Sequence, residues 1–492
     1  MTPDTTVSAA RASALLPALQ ALLGPAGVLT GAADCAAFCT DWRGLYQGTT
    51  PAVLRPANTA ELAAAMRLCH RHGVAVVPQG GNTSMVGGAV PSEQGDQLVL
   101  TLSRMNRVRA VDTVDMVMEL DAGVPLASAQ QAAADAGCMF PLSIGSEGTA
   151  QIGGVLSTNA GGNNTVRYGN ARDLVLGLEV VMADGEVWNG MRRLRKDNTG
   201  YCLRQLFLGS EGTLGIITGA VLRMVPRPTV SEVAFCALPS VEAVIELFQR
   251  FQRYDASAVQ AFEYMSAPGL ELVLQQIPGT ARPLGTAGAD YPHYALVELG
   301  TSRDNSDLRA DTERVLEQAL EDGLVEDAVV SQNGAQRKAL WKLREEHSES
   351  QRLAGASVKN DVSVPVSRIP ALIAQATAAC EELVPGVRAM PFGHIGDGNI
   401  HFNLVQPEGG DAAAFLAQSD ALVHAVDAIV ESLGGSFSAE HGIGRLKTGL
   451  MEERRGGAEL RTMRLIKQAL DPRGLLNPGK VLSVRAAGSS AT

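Results

Sequence analysis

Two histidines seven positions apart, His394 and His401, bracket the run Ile395-Gly396-Asp397-Gly398-Asn399-Ile400. Asp-Gly is a signal for a two-residue type I′ hairpin turn between short apolar strands. Such a turn would pair Gly396 with Asn399, Ile395 with Ile400 and His394 with His401. Directly opposed residues share one face of a sheet, with Cβ atoms roughly 4.5–5.5 Å apart, so the two imidazoles could share a metal ion. Asn403, two residues beyond His401, falls on the same face. A pair of surface histidines on a hairpin is the plain alternative. Further on, Glu440 and His441 end a short extended run, Ser436 to Ala439, after a Gly434-Gly435 stop. Neighbours in an extended segment point to opposite sides. One of the two could bind the metal while the other faces a substrate.

A second chemistry is written in glycine. Pro78-Gln79-Gly80-Gly81-Asn82-Thr83-Ser84-Met85-Val86-Gly87-Gly88-Ala89-Val90-Pro91 follows an apolar run, Val74 to Val77, with the character of a buried strand. Glycine permits positive φ and lets a ligand touch the main chain, and successive N–H groups in such a turn make an anion-binding nest. Asn82, Thr83 and Ser84 add side-chain donors, and a diphosphate would fit. An ordinary glycine-rich surface turn is the alternative. No G-x-G-x-x-G opens a helix here, so this is not the dinucleotide fingerprint of a Rossmann fold. A second glycine-rich block spans Pro141 to Gly169, with Gly145, Gly148, Gly153, Gly154, Gly161, Gly162 and Gly169, and a third runs from Leu208 to Thr218.

The elements that must position these residues follow an α/β rhythm. A helical lead-in, with an amphipathic helix over Ala9–Leu23, precedes a helix from Thr59, its expected N-cap, to about Arg71. Strands are expected at Leu98–Leu102, Met116–Leu120 and Leu174–Ala183, the last turned by Asp184-Gly185, and a helix at Ala129–Ala136. Pro226 and Pro228 mark a domain boundary. Beyond it, strands such as Val230–Ala237 and Tyr294–Leu299 alternate with helices such as Val241–Tyr254 and Ser306–Asp322, which suggests an α+β sheet with helices on one face. Residues 412–433 read as one long helix and Ala458–Leu470 as the last.

Composition narrows the class. The 492 residues are 46% hydrophobic and 19% charged, with a net charge of −11, so the chain has ample core and no nucleic-acid partner is expected. Seven cysteines without a C-x-x-C pair suit reduced thiols. The Ala/Leu-rich N-terminal stretch is too short to span a membrane, lacks a basic n-region and is poor in Arg, with Asp4 present. No membrane span and a cytoplasmic location are therefore expected.

The three glycine blocks, in this order and spacing, resemble the FAD domain of the vanillyl-alcohol-oxidase and p-cresol-methylhydroxylase type. Arg192–Tyr201, Gly393–Asn403, Glu440–Gly444 and Leu475–Leu482 resemble the D-lactate and D-2-hydroxyglutarate dehydrogenase group, and the resemblance runs from about Trp42 to Leu482. It implies an α+β chain: a helical lead-in (1–46), a two-part FAD-binding domain (47–227), an α+β substrate or cap domain carrying the metal hairpin (228–433), a helical C-terminal segment returning to the FAD site (434–485) and a disordered tail (486–492). FAD contacts are implied for Pro78, Gly80, Gly81, Asn82, Thr83, Ser84, Met85, Gly87, Gly88, Gly145, Gly148, Thr149, Ile152, Gly153, Asn159, Gly161, Tyr168, Glu211, Gly215, Ile216, Ile217 and Asn477. Asn82 stands where members with covalent flavin have a His, so non-covalent FAD is implied. His394, His401 and Glu440 become metal ligands and His441 the catalytic base; Zn or Mn is favoured by this donor set, with Fe(II) compatible. Arg344 and Lys359 match carboxylate-binding positions, joined by Ser348, one helical turn after Arg344, and by Asn403. The implied reaction is oxidation of a D-2-hydroxy acid, best D-2-hydroxyglutarate, with D-lactate or a glycolate-oxidase-like subunit as alternatives. The implied electron acceptor is an electron-transfer flavoprotein or a quinone, and a homodimer is the candidate assembly.

Overall fold

The structure, a computed structural model, describes residues 5–285 and 291–483. The expected tail at 486–492 lies outside them. Two compact units partition the chain: the first takes its described residues from Met1–Ala160, Asn170–Pro226 and Glu440–Thr492, the second from Gly161–Gly169 and Arg227–Ala439.

The first unit carries two main sheets. One has four strands, in the order Val28–Leu29, Val53–Leu54, Gln97–Thr101, Ala75–Gln79, the last three running parallel. The parallel pair is buried throughout at Gln97–Thr101, as a strand covered on both faces must be. The helix Thr59–His72 crosses between the strands at Val53–Leu54 and Ala75–Gln79. Its N-cap is Asn58, whose side chain accepts from Glu61 N–H at 2.9 Å, not Thr59 as expected. Thr59 instead donates its hydroxyl to Glu179 at 2.7 Å. The second sheet is antiparallel, in the order Val108–Asp112, Val117–Asp121, Ile216–Arg223, Val175–Val181, Val187–Gly190. Its last pair closes through the expected Asp184-Gly185 turn, with Val181 opposite Val187.

The second unit is built on an antiparallel sheet. Its strand order is Asp327–Val330, Val230–Leu238, His293–Thr301, Val259–Ser266, Arg388–Gly393, Asn399–Val405, Ser357–Val358, and Asp361–Ser363 also pairs with the strand Asn399–Val405. Alternate residues feed two cores. Cys236, Phe262 and Tyr264 pack with Val244, Leu247 and Phe251 of the helix Val241–Asp255, with Leu372 of Ile369–Leu383 and with Val426 of Ser419–Ser432. Phe235, Met265 and Phe392 pack with Leu270 and Val273 of the helix Ala267–Gln276 and with Leu340 and Leu343 of Gly334–Glu345. Helices therefore cover both faces, not one. The single helix expected at 412–433 is two, Ala412–Leu416 and Ser419–Ser432.

Candidate functional site

Within the first unit, four segments meet through main-chain contacts. After the strand Ala75–Gln79 the glycine loop turns at Asn82 (φ 54°), whose amide donates to Thr40 O at 2.8 Å. Ser84 Oγ accepts from Gly88 N–H at 3.1 Å, so its oxygen shapes the loop. A Cβ on Gly81 would overlap the Thr149 carbonyl oxygen, which puts the first two glycine blocks in backbone contact. Thr83 and Met85 are half-buried in the same loop, and Gly87 (φ 66°) packs on the Tyr46 ring. Gly145 and Gly148 are exposed, with open space where a side chain would stand, and Thr149 beside them is exposed too. This is a backbone cradle of the kind a flavin diphosphate needs. Ile152, Ile216 and Ile217 are core residues, at most 2% exposed. Gly153 and Gly215 are close-packing positions against Leu102 and Val180 respectively. Asn159 (φ 51°) accepts Arg172 N–H at 2.9 Å. Gly161 and Tyr168 lie in the segment Gly161–Gly169 of the second unit.

Glu211 (φ 52°) serves the loop that follows Glu440-His441. Its two carboxylate oxygens accept one N–H each, from Ile443 at 2.7 Å and from Gly444 at 2.8 Å. Burial pushes its carboxyl pKa up, and the two amides oppose that shift. Asn477 (φ 43°) clamps the same place, donating to Gly88 O at 2.9 Å and Glu211 O at 2.8 Å. Arg445 N–H and Leu446 N–H both reach Val86 O of the glycine loop. His441 Nε2 lies 3.7 Å from Glu440 Oε1, and both side chains are partly exposed.

In the second unit the histidine hairpin differs from expectation in its register. Phe392, not His394, lies opposite His401, and the connection runs from His394 to Gly398. Gly393 (φ 152°) sits where a Cβ would meet Asn399 O at 2.5 Å, and Asn399 N–H turns back to Asp397 Oδ1 at 3.1 Å, which lengthens the loop beyond two residues. The shift is even, so the side-chain face is preserved. The rings of His394 and His401 are 5.6 Å apart and nearly perpendicular.

Each imidazole also faces a buried carboxylate. His401 Nδ1 is 3.6 Å from Asp361 Oδ1, and His394 Nε2 is 4.0 Å from Glu263 Oε1. Glu440 follows Ala439 directly in the chain, and Ala439 N–H donates to Asp361 O at 3.3 Å. Among the described residues, Asp361, His401 and Glu440 form a group whose ligand atoms all lie within 4.8 Å of one another. At the tip of the hairpin the Asp397 carboxyl is pushed up to about 7: burial raises it, Asn399 N–H opposes, and the charges of Glu263 and Asp361 raise it further. So much negative charge around two imidazoles suits a cation.

Of the expected substrate anchors, Arg344, Lys359 and Asn403 are each hydrogen-bonded to a buried polar side chain of the second unit. Arg344 Nε donates to Glu263 Oε2 at 2.6 Å, and its guanidinium lies over the Phe392 ring at 4.8 Å. Lys359 Nζ and Asn403 Nδ2 both donate to Gln351 Oε1, at 2.7 and 2.8 Å. Ser348 is exposed, because the helix bearing Arg344 ends at Glu345 and a new one starts at His347, breaking the expected one-turn relation. His347 is buried in its stead, edge-on to Phe392, with its pKa well below the usual value because of burial and the nearby charge of Arg344. Sequence reasoning passed over Asp361, Glu263 and Gln351. Glu263 did carry a signal, a lone acid inside the apolar strand Val259–Ser266.

Two families match the chain: "FAD binding domain" over residues 50–190 and "FAD linked oxidases, C-terminal domain" over 227–481. The chain belongs to the FAD-linked oxidases. It is an FAD-dependent oxidoreductase. A D-2-hydroxyglutarate dehydrogenase of Xanthomonas citri pv. viticola is 37% identical over 459 residues, covering 93% of this chain and 94% of that one. A mitochondrial D-2-hydroxyglutarate dehydrogenase of Bos taurus is 37% identical over 479 residues, 96% of this chain and 84% of that one. In fold, the chain is similar to p-cresol methylhydroxylase, with a TM-score of 0.73 at 15% identity, covering 96% of each chain. The α+β, two-part FAD fold expected from the glycine blocks is thus present in this FAD-linked oxidase. The expected cytoplasmic location is overturned: the Bos taurus relative, like those of Oryza sativa, Rattus norvegicus and Danio rerio, is mitochondrial by name. Reduced cysteines report a redox poise, not an address. Among the described residues no helix is long and apolar enough to cross a membrane.

Proposed function

We propose that this FAD-linked oxidase converts a D-2-hydroxy acid to the 2-oxo acid, with D-2-hydroxyglutarate as its preferred substrate. The observation that carries the reading is the grouping of Asp361, His401 and Glu440, with the His394 ring beside that of His401. Imidazole and carboxylate donors of this kind fit Zn or Mn. His394, His401 and Glu440 would hold the ion, and Asp361 would orient His401. The backbone cradle around Gly80–Gly88 fits FAD, held without a covalent bond because Asn82 offers an amide already hydrogen-bonded to Thr40. When bound, the ion supplies Lewis acidity at the substrate hydroxyl and the flavin supplies a two-electron acceptor.

The side chains do the rest. His441 takes the hydroxyl proton as general base. Arg344 and Lys359 meet the substrate carboxylates, and Gln351, itself held by the Asn403 amide, fixes Lys359. A dicarboxylate answers two cationic anchors, whereas lactate brings one carboxylate and can engage only one of them. Electrons leave to an electron-transfer flavoprotein or a quinone, and a homodimer is the proposed assembly. D-lactate is the second reading, supported by a relative in Schizosaccharomyces pombe named a putative D-lactate dehydrogenase, 36% identical over 465 residues.

The test is kcat/KM for both D-acids on the wild type and on Lys359→Met. A site that rejects a substrate for leaving polar groups unpaired can discriminate by as much as about 10⁴-fold, and Lys359→Met should erase most of that preference. Equal or better use of D-lactate by the wild type refutes the substrate assignment. Failure of every D-2-hydroxy acid to bleach the flavin anaerobically refutes the reaction.

A further inference from the structure

Glu263 occupies the middle of the second unit's sheet and is 0% exposed. A carboxylate so deeply buried is costly unless its charge is answered. Its own strand explains how it is aimed. Tyr264 pairs with Gly393 and Met265 with Phe392, so one more antiparallel step brings Glu263 level with His394. Phe262 and Tyr264 point into one core and Met265 into the other, which leaves Glu263 on the face of Met265, Phe392 and the Arg344 helix. There its two oxygens have different company. Oε2 accepts Arg344 Nε at 2.6 Å. Oε1 has no hydrogen-bond partner among the described residues and lies 4.0 Å from His394 Nε2.

We propose that Glu263 is a positioning residue that sets two parts of the site at once: through Oε1 it orients the His394 imidazole for the metal, and through Oε2 it fixes Arg344 for the substrate carboxylate. The inference rests on the metal reading above. An imidazole that gives one nitrogen to a metal presents the other as an N–H donor, and a carboxylate there fixes the ring's tautomer and orientation. Asp361 stands toward His401 in the same relation, at 3.6 Å. The unpartnered oxygen of Glu263 is then the acceptor of that N–H, and the 4.0 Å gap closes to hydrogen-bond length when the ion is bound. Burial raises the pKa of the Glu263 carboxyl, and the charge and hydrogen bond of Arg344 oppose that shift. A single carboxylate therefore couples metal affinity to substrate affinity, which a plain buried ion pair would not do.

The experiment uses the FAD-loaded protein and its Glu263→Gln variant, which keeps the volume and removes the charge. Zn(II) affinity is measured by competition with a chelator of known affinity, beside KM for D-2-hydroxyglutarate. Loss of such a carboxylate typically weakens metal binding roughly 10- to 100-fold, and the expected result is a loss in this range together with a raised KM, at unchanged flavin content. Unchanged Zn(II) affinity in a folded variant overturns the inference and leaves the metal reading standing. No Zn(II) binding by the wild type overturns the metal reading and this inference with it. If Glu263→Gln does not fold, a crystal structure of the metal-loaded wild type decides. A ring nitrogen of His394 within about 3.2 Å of Glu263 Oε1 supports the proposal, and a ring turned away from it refutes it.

Discussion

Replacing Glu211 by Gln should loosen the loop that carries Glu440 and His441. Each carboxylate oxygen of Glu211 accepts one backbone N–H, from Ile443 at 2.7 Å and Gly444 at 2.8 Å, at a residue only 8% exposed. The introduced amide could satisfy one donor with its oxygen and would turn its NH₂ toward the other, leaving two donors face to face. A hydrogen bond to a charged group contributes about 1.5–3 kcal/mol, and an unsatisfied buried donor costs a similar amount. The lost bond alone sets the scale, because the loop can move its free N–H toward water. At 1.36 kcal/mol per tenfold, this corresponds to roughly 10- to 150-fold more frequent opening. Hydrogen exchange of the Ile443 and Gly444 amides reads that opening directly. Exchange should accelerate by this factor at those two amides and little in the strand Ile216–Arg223, whose bonds are untouched. Turnover should fall with it, because His441 shares the loop. Unchanged exchange at Ile443 and Gly444 would refute the reasoning, since the carboxylate would then not be what holds them.

Three further outcomes follow from the same geometry. His441→Ala should lower kcat by roughly 10²-fold or more, the scale for losing a general base, while elemental analysis finds the metal retained; a variant that lost its metal would show His441 to be a ligand. Acid precipitation should release all the flavin to the supernatant, and colour left in the pellet would contradict non-covalent binding at Asn82. Lys480, 5% exposed, has its pKa lowered to about 8 by burial and by Arg445, with Asp96 opposing. Its unfolded value is near 10.4, so between about 8 and 10 the unfolded chain binds the extra proton and stability rises with pH. Lys480→Met should therefore stabilise the protein by up to about 3 kcal/mol near pH 7, with the advantage shrinking above pH 8 in urea melts; parallel stability curves for the two proteins would exclude this.

What is legible in the sequence shares a physical cause. The glycine blocks stand out because backbone packed on backbone tolerates no Cβ, as at Gly81 against Thr149. Asn82, Asn159 and Asn477 adopt the positive φ that asparagine tolerates better than most side chains. The hairpin register expected from the Asp-Gly turn is off by two residues and still brings His394 to His401, because side-chain direction has a period of two and an even slip keeps the face. An odd slip would have sent one imidazole to the opposite core. By contrast, helical periodicity carries Ser348 across Glu346, where the helix stops, and the inference fails at that residue.

The partners of the site are hidden for a different reason. Glu263 meets Arg344 across 81 residues of sequence, and Glu211 meets Gly444 across 233. No local pattern encodes such pairings, because they depend on strand order and on which face each strand presents. Both acids are nonetheless almost fully buried, and a lone carboxylate inside an apolar segment must be answered by something charged or by backbone N–H groups. In Val259–Ser266 and in Leu208–Thr218 that requirement can be stated from sequence, although its answer cannot. The residues proposed to ligate and to move the proton sit in motifs, whereas the residues proposed to aim them have to be found in space, and Glu263 and Glu211 are where a substitution would separate aiming from ligation.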